Sequence, residues 1–190
     1  KSLEFLKNRF VELSDIFASL GGSGLVVACN TGTVTALPYL REKLSIPVFG
    51  VEPVTKMLKE HQNPVVWGTT VTTSSDVAIN LKNVHGDHIR YYTPVGLASA
   101  IEANDLSRVR TILKAAKNEL GTVDAIGLSC THYPLVKNLI HEVFTGVTIY
   151  DPSSAVARHV ARTLKLNPKT DQSIKSTVNY HSTTSVLRLQ

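Results

Sequence analysis

Two cysteines are the only thiols in this 190-residue sequence, and both follow one local pattern. The first closes GLVVAC (24–29) and is followed by Asn30-Thr31-Gly32; the second closes VDAIGLSC (123–130) and is followed by Thr131-His132-Tyr133-Pro134. Each time an apolar run leads to a small residue, then cysteine, then hydrogen-bonding residues. Apolar runs this short, bounded by glycine or polar residues, suit strands of a parallel sheet covered on both faces. The cysteines would then stand at the carboxyl ends of strands. In open α/β sheets that edge binds ligands, and the next helix aims its N-terminal N–H groups at it.

Four uses of such a pair are open. A disulfide needs an oxidising compartment, which nothing in the sequence suggests. Zinc needs about four ligands at recognisable spacing, which Cys130-Thr131-His132 does not offer. Two unrelated core cysteines would pack as small hydrophobes. The fourth use is acid–base chemistry by two thiols facing one substrate. Inverting a stereocentre without a cofactor requires a base on one face of the carbon and an acid on the other. A thiol, with a free pKa of about 8.5, can be set to either role by a helix N-terminus or a neighbouring histidine.

The elements that would position these thiols can be traced along the chain. Strands are expected at 25–28, 47–51, 64–67, 88–92, 123–128 and 147–150, and helices near 3–20, 33–44, 54–61, 75–82, 96–103, 107–119, 135–144 and 153–164. Pro38 implies that the second helix begins late or kinks. Such alternation predicts an α/β fold with parallel sheets built from crossover connections. From Lys165 onward the sequence is polar, with 177–181 its one strand-like stretch. The sequence opens on Lys1-Ser2 and passes directly into a helical repeat of Leu3, Leu6, Phe10, Leu13, Phe17 and Leu20 that Gly21-Gly22 ends. The expectation is a chain whose preceding strand is absent, a processed N-terminus being the alternative.

Composition sets the class. With 43% hydrophobic and 18% charged residues the chain reads as an ordinary soluble globular protein, cytoplasmic by default. No apolar run approaches the roughly 20 residues of a membrane span, and no signal peptide is recognisable. The net charge of +5 is spread over helical spacings such as Arg108, Arg110, Lys114 and Lys117, which suits solvated helix faces better than a nucleic-acid surface.

At the cysteines the sequence resembles a known family. ACNT (28–31) followed by CTHYP (130–134) is similar to the glutamate racemases of the aspartate/glutamate racemase superfamily. IPVFGVEP (46–53), GTTVTTSS (68–75) and YDPS (150–153) resemble further stretches of that family in the same order. The histidine after Cys130-Thr131 is the glutamate-type residue, where aspartate racemases usually carry glutamate.

The resemblance implies two pseudo-symmetric lobes, each with a parallel sheet flanked by helices: 1–52 together with 153–190 in the first, 53–152 in the second. It implies interconversion of L- and D-glutamate for peptidoglycan by a mechanism without cofactor or metal, in a homodimer. Cys29 and Cys130 would be the acid–base pair, Cys29 serving D-glutamate and Cys130 L-glutamate. Asn30, Thr31, Thr131 and His132 would hold the substrate's amino and carboxylate groups, His132 also helping to ionise Cys130, with Thr72 as a further contact. Capping of the following helix by Asn30 or Thr31, and closure of a turn by His132, are the plain structural alternatives. A sister activity on aspartate or a hydantoin, or a noncatalytic ligand-binding relative, are the alternatives for function. The sequence departs from the family in two ways. Gly32-Thr33 replaces a small Ala-Ser pair, a change expected only to loosen the helix start. The family's Asp-Ser-Gly and Pro-Tyr-Gly loops are missing, so about half of the implied binding shell and a central strand of the first lobe are expected to be absent.

Overall fold

The computed structural model describes residues 2–166; the strand-like stretch expected at 177–181 lies outside them. In chain order the elements are α1 (Leu3–Ser19), β1 (Leu25–Val27), α2 (Asn30–Lys43), β2 (Val48–Gly50), a 3-10 turn (Val54–Leu58), β3 (Pro64–Gly68), α3 (Thr70–Thr73), α4 (Asp76–His85), β4 (Arg90–Tyr92), α5 (Leu97–Glu102), α6 (Leu106–Leu120), β5 (Ala125–Ser129), a second 3-10 turn (Tyr133–Val136), α7 (Lys137–Val143), β6 (Thr148–Tyr150) and α8 (Ser153–Thr163). Every strand pairing among the described residues is parallel. β1 and β2 form one sheet, and the other runs β4-β3-β5-β6. The chain is therefore α/β with two parallel sheets flanked by helices.

Burial explains why the larger sheet is built around β3 and β5. All five residues of each are buried, as expected for central strands covered on both sides. Val65, Trp67, Ile126 and Leu128 share one core with Leu97, Val109, Leu113 and Ile140 of the surrounding helices. Val66 and Ala125 pack into a second core with Val54, Leu58 and Ile89. Around the smaller sheet, Val27 and Val48 pack with Ala36, Leu37 and Leu40 of α2, while Phe10 and Val11 bring in α1. α8 returns to this sheet, where the His159 and Phe49 rings meet edge-on at 5.3 Å.

Several elements differ from the sequence reading. The helix expected at 54–61 is a 3-10 turn ending at Leu58, and the one expected at 135–144 is divided into a 3-10 turn and α7. A one-turn α3 precedes α4, where Thr69 and then Ser75 act as successive caps. The largest difference is α2, which starts at Asn30 rather than late and runs on through Pro38. Its start is fixed by the Cys29 side chain, which accepts the Gly32 N–H, and its buried face (Thr33, Ala36, Leu37, Leu40) holds the helix across the hydrogen bond that proline removes.

Candidate active site

β1 ends two residues before Cys29, and the chain turns at once into α2. Cys29 is the N-cap, in extended conformation, and its sulfur accepts the Gly32 N–H at 3.3 Å. Thus neither Asn30 nor Thr31 caps the helix; the thiol does. Asn30 is 2% exposed and donates through Nδ2 to the Val51 carbonyl at 2.8 Å. That bond leaves its Oδ1 buried and unpartnered among the described residues. Thr31 reaches the second sheet, where its hydroxyl meets those of Thr69 at 2.8 Å and Thr72 at 3.3 Å. Thr69 and Thr72 are 3.1 Å apart, so three hydroxyls close a triangle between the first turns of α2 and α3.

The departure at Gly32-Thr33 does more than loosen a helix start, contrary to expectation. A Cβ on Gly32 would run into the Phe10 ring, so glycine is what lets α1 close over the start of α2. The buried Thr33 hydroxyl accepts the Val51 N–H at 2.9 Å and donates to the Val27 carbonyl at 3.4 Å.

Cys130 follows β5 directly and belongs to the main core, with 7% of its surface exposed. Burial pushes its thiol pKa up, and the charge of Cys29 pushes the same way, while the backbone N–H groups of His132 and Tyr133 oppose the rise. The two sulfurs therefore lie within electrostatic reach. His132 Nδ1 stands 3.7 Å from the Cys130 sulfur, and its Nε2 pairs with Glu102 Oε1 at 2.6 Å. A carboxylate on Nε2 favours the tautomer whose Nδ1 is free to take the thiol proton. Burial outweighs these hydrogen bonds, so the Cys130 thiol titrates above its ordinary range, with His132 placed to help it ionise.

Both cysteines are free, so the disulfide reading is overturned. Asn30, Cys130 and Thr131 line one cavity of about 430 Å³, whose wall continues through Asp151 and Ser153 into the apolar side of α8. Cys29 lines the adjoining groove of about 540 Å³ against α1, and Ala28 borders both spaces. Thr72 is fully buried and reaches this region through Thr31. Glu102 and Thr69 were not singled out in the sequence. Glu102 did carry a faint signal: a carboxylate in the last residue of a helix sits at the unfavourable end of its dipole.

The chain is similar in sequence and in fold to known proteins. A family described as Asp/Glu/Hydantoin racemase matches residues 10–160. A glutamate racemase of Ralstonia pickettii (strain 12J) is 34% identical over 200 residues, covering 100% of this chain and 71% of that protein. The Escherichia coli glutamate racemase, solved with L-glutamate and the activator UDP-MurNAc-ala, superposes with TM-score 0.78 at 27% identity, over 87% of this chain and 67% of that one. Glutamate racemase isoform RacE1 of Bacillus anthracis superposes with TM-score 0.75 at 27% identity, over 87% of this chain and 66% of that one. The chain thus spans about two thirds of the length of these solved relatives.

Proposed function

Because the chain belongs to the Asp/Glu/Hydantoin racemase family, we propose that Cys29 and Cys130 interconvert L- and D-glutamate by a two-base, cofactor-free mechanism. One thiolate takes the α-proton from one face, the electron pair stays on the α-carbon, and the opposite thiol returns a proton to the other face. The reverse reaction exchanges the roles. The observation that carries this reading is the matched placement of two free thiols. Each stands at the end of a parallel strand, each meets backbone N–H groups of the next turn, and each is within the other's electrostatic reach.

The remaining residues divide the substrate between them. Asn30 Oδ1 is a buried acceptor without a partner among the described residues, a state that costs about 1–3 kcal/mol and that a substrate ammonium would relieve. Thr31 and Thr131 offer hydroxyl donors to carboxylate, and Thr72 holds Thr31 in place. His132, backed by Glu102, moves the proton of Cys130. Among the described residues, 2–52 with 153–166 would form one lobe and 53–152 the other, with the substrate between. The role is supply of D-glutamate for peptidoglycan, in the cytoplasm, by a homodimer. No helix among the described residues is long and apolar enough to cross a membrane.

The test is incubation of the protein with each glutamate enantiomer in deuterium oxide, following optical activity and α-deuterium together, with aspartate and a hydantoin as parallel substrates. Inversion of glutamate with deuterium incorporation supports the reading. Turnover of aspartate or hydantoin in preference to glutamate transfers it to a sister activity, and binding without exchange reduces the chain to a noncatalytic relative.

A further inference from the structure

The segment joining the two sheets is anchored at both ends by hydroxyls that neighbour the cysteines. On the first side, Val51 donates to Thr33 Oγ1 at 2.9 Å and accepts from Asn30 Nδ2 at 2.8 Å, and both partners lie in the first turn of the helix that Cys29 caps. On the second side, Val54 donates to Ser129 Oγ at 3.1 Å, and Ser129 immediately precedes Cys130. Val54 also lies so close to β5 that a Cβ on Gly127 would collide with its side chain. Thr33, Val51, Val54 and Ser129 are all buried. Between the anchors stand only Glu52 and Pro53. Proline fixes its own φ, here −56°, and restricts Glu52 to extended conformations. Three peptide units separate the anchors, a reach of about 11 Å at most.

We infer that Val51–Val54 is a stiff spacer setting the separation of the two thiols, with Thr33 and Ser129 as its positioning residues. This rests on the racemase reading for its consequence but not for its geometry. Abstraction needs one thiol at the α-carbon, whereas inversion needs both at matched distance, and a misplacement of about 1 Å can cost on the order of a hundredfold. Loosening the spacer should therefore spare exchange and depress inversion.

The chain has just two cysteines, so thiol-directed cross-linkers of graded length report their separation without further engineering. Thr33→Val, Ser129→Ala and Pro53→Gly are compared with the parent and with Thr33→Ser, which keeps the hydroxyl. The parent should cross-link best with one length. The three loosening variants should lose that selectivity while keeping a cooperative thermal transition, and Thr33→Ser should retain it. With glutamate, the ratio of deuterium exchange to inversion should rise about tenfold in the same three variants. Parent-like cross-linking selectivity in Thr33→Val and Ser129→Ala overturns the spacer. A parent that shows the selectivity but no racemisation overturns the racemase reading instead.

Discussion

The two cysteine sites share a place in the fold and are built from different materials. Cys29 is half-exposed and caps a 14-residue helix, with threonine hydroxyls close by and no imidazole in hydrogen-bond contact with its sulfur among the described residues. Cys130 is buried in the main core and precedes a single 3-10 turn, yet it has His132 at 3.7 Å with Glu102 behind it. The contrast follows from burial. A thiol inside a core resists ionisation, and so short a turn offers little helix dipole to offset that, so the proposed chemistry needs a titrating group to accept the proton. A thiol at the mouth of a long helix already faces fixed N–H donors. The repeat visible in sequence is thus a repeat of position, and the chemistry around each position is individual.

The strongest challenge to this comparison is removal of either sulfur. Cys29→Ser and Cys130→Ser should each abolish net racemisation in both directions, because a hydroxyl is a far weaker acid and base at neutral pH. Exchange of the α-hydrogen with deuterium should survive in each mutant for the enantiomer presented to the remaining thiol, opposite enantiomers in the two cases. Racemisation at the parent rate in either mutant makes that cysteine structural. His132→Asn sharpens the asymmetry. It should slow exchange at the Cys130 face by about a hundredfold and leave exchange at the Cys29 face near the parent rate; Glu102→Gln should act in the same direction and less. Equal slowing at both faces means that His132 serves binding instead. A smaller effect is expected where the two sites touch. Thr69→Val keeps the shape and removes one vertex of the hydroxyl triangle, and KM should rise about fivefold with kcat little changed. A fall in kcat at unchanged KM would exclude Thr69 from substrate binding.

What could be read from the sequence was whatever is local. Mostly apolar runs reveal β3 and β5, because a strand covered on both faces is apolar at nearly every position. The cysteine edge was legible for the same reason. The start of α2 was not, since Gly32, Thr33 and Pro38 are weak helix formers and the sulfur that caps the helix is no ordinary cap residue. Glu102 and Ser129 escaped because their partners lie 30 and 75 residues away in the chain, and no spacing rule spans a crossover. The Asn30 amide was recognised, but its orientation depends on the Val51 carbonyl across the sheet.

The finest separation of the two thiols is by pH. Burial raises the pKa of Cys130 and the charge of Cys29 raises it further, so the thiolate fraction of Cys130 grows only above the ordinary thiol range near about 8.5. Iodoacetamide should therefore modify Cys29 before Cys130 at neutral pH, with the rate at Cys130 still climbing in alkaline solution. Slow access to a buried sulfur scales the rate at every pH without moving the inflection, so the inflection is the quantity to measure. In Cys29→Ser, where the neighbouring charge is gone, the inflection of Cys130 should move to lower pH. The same shift has a consequence for stability. A thiol whose folded pKa lies above its unfolded value contributes in full below the unfolded pKa, and that contribution is lost as pH rises through the folded one. The parent should lose stability across that alkaline window relative to Cys130→Ala. An inflection at Cys130 that ignores the loss of the Cys29 sulfur would mean that the two thiols do not sense each other, and their pairing in one reaction would then have to be abandoned.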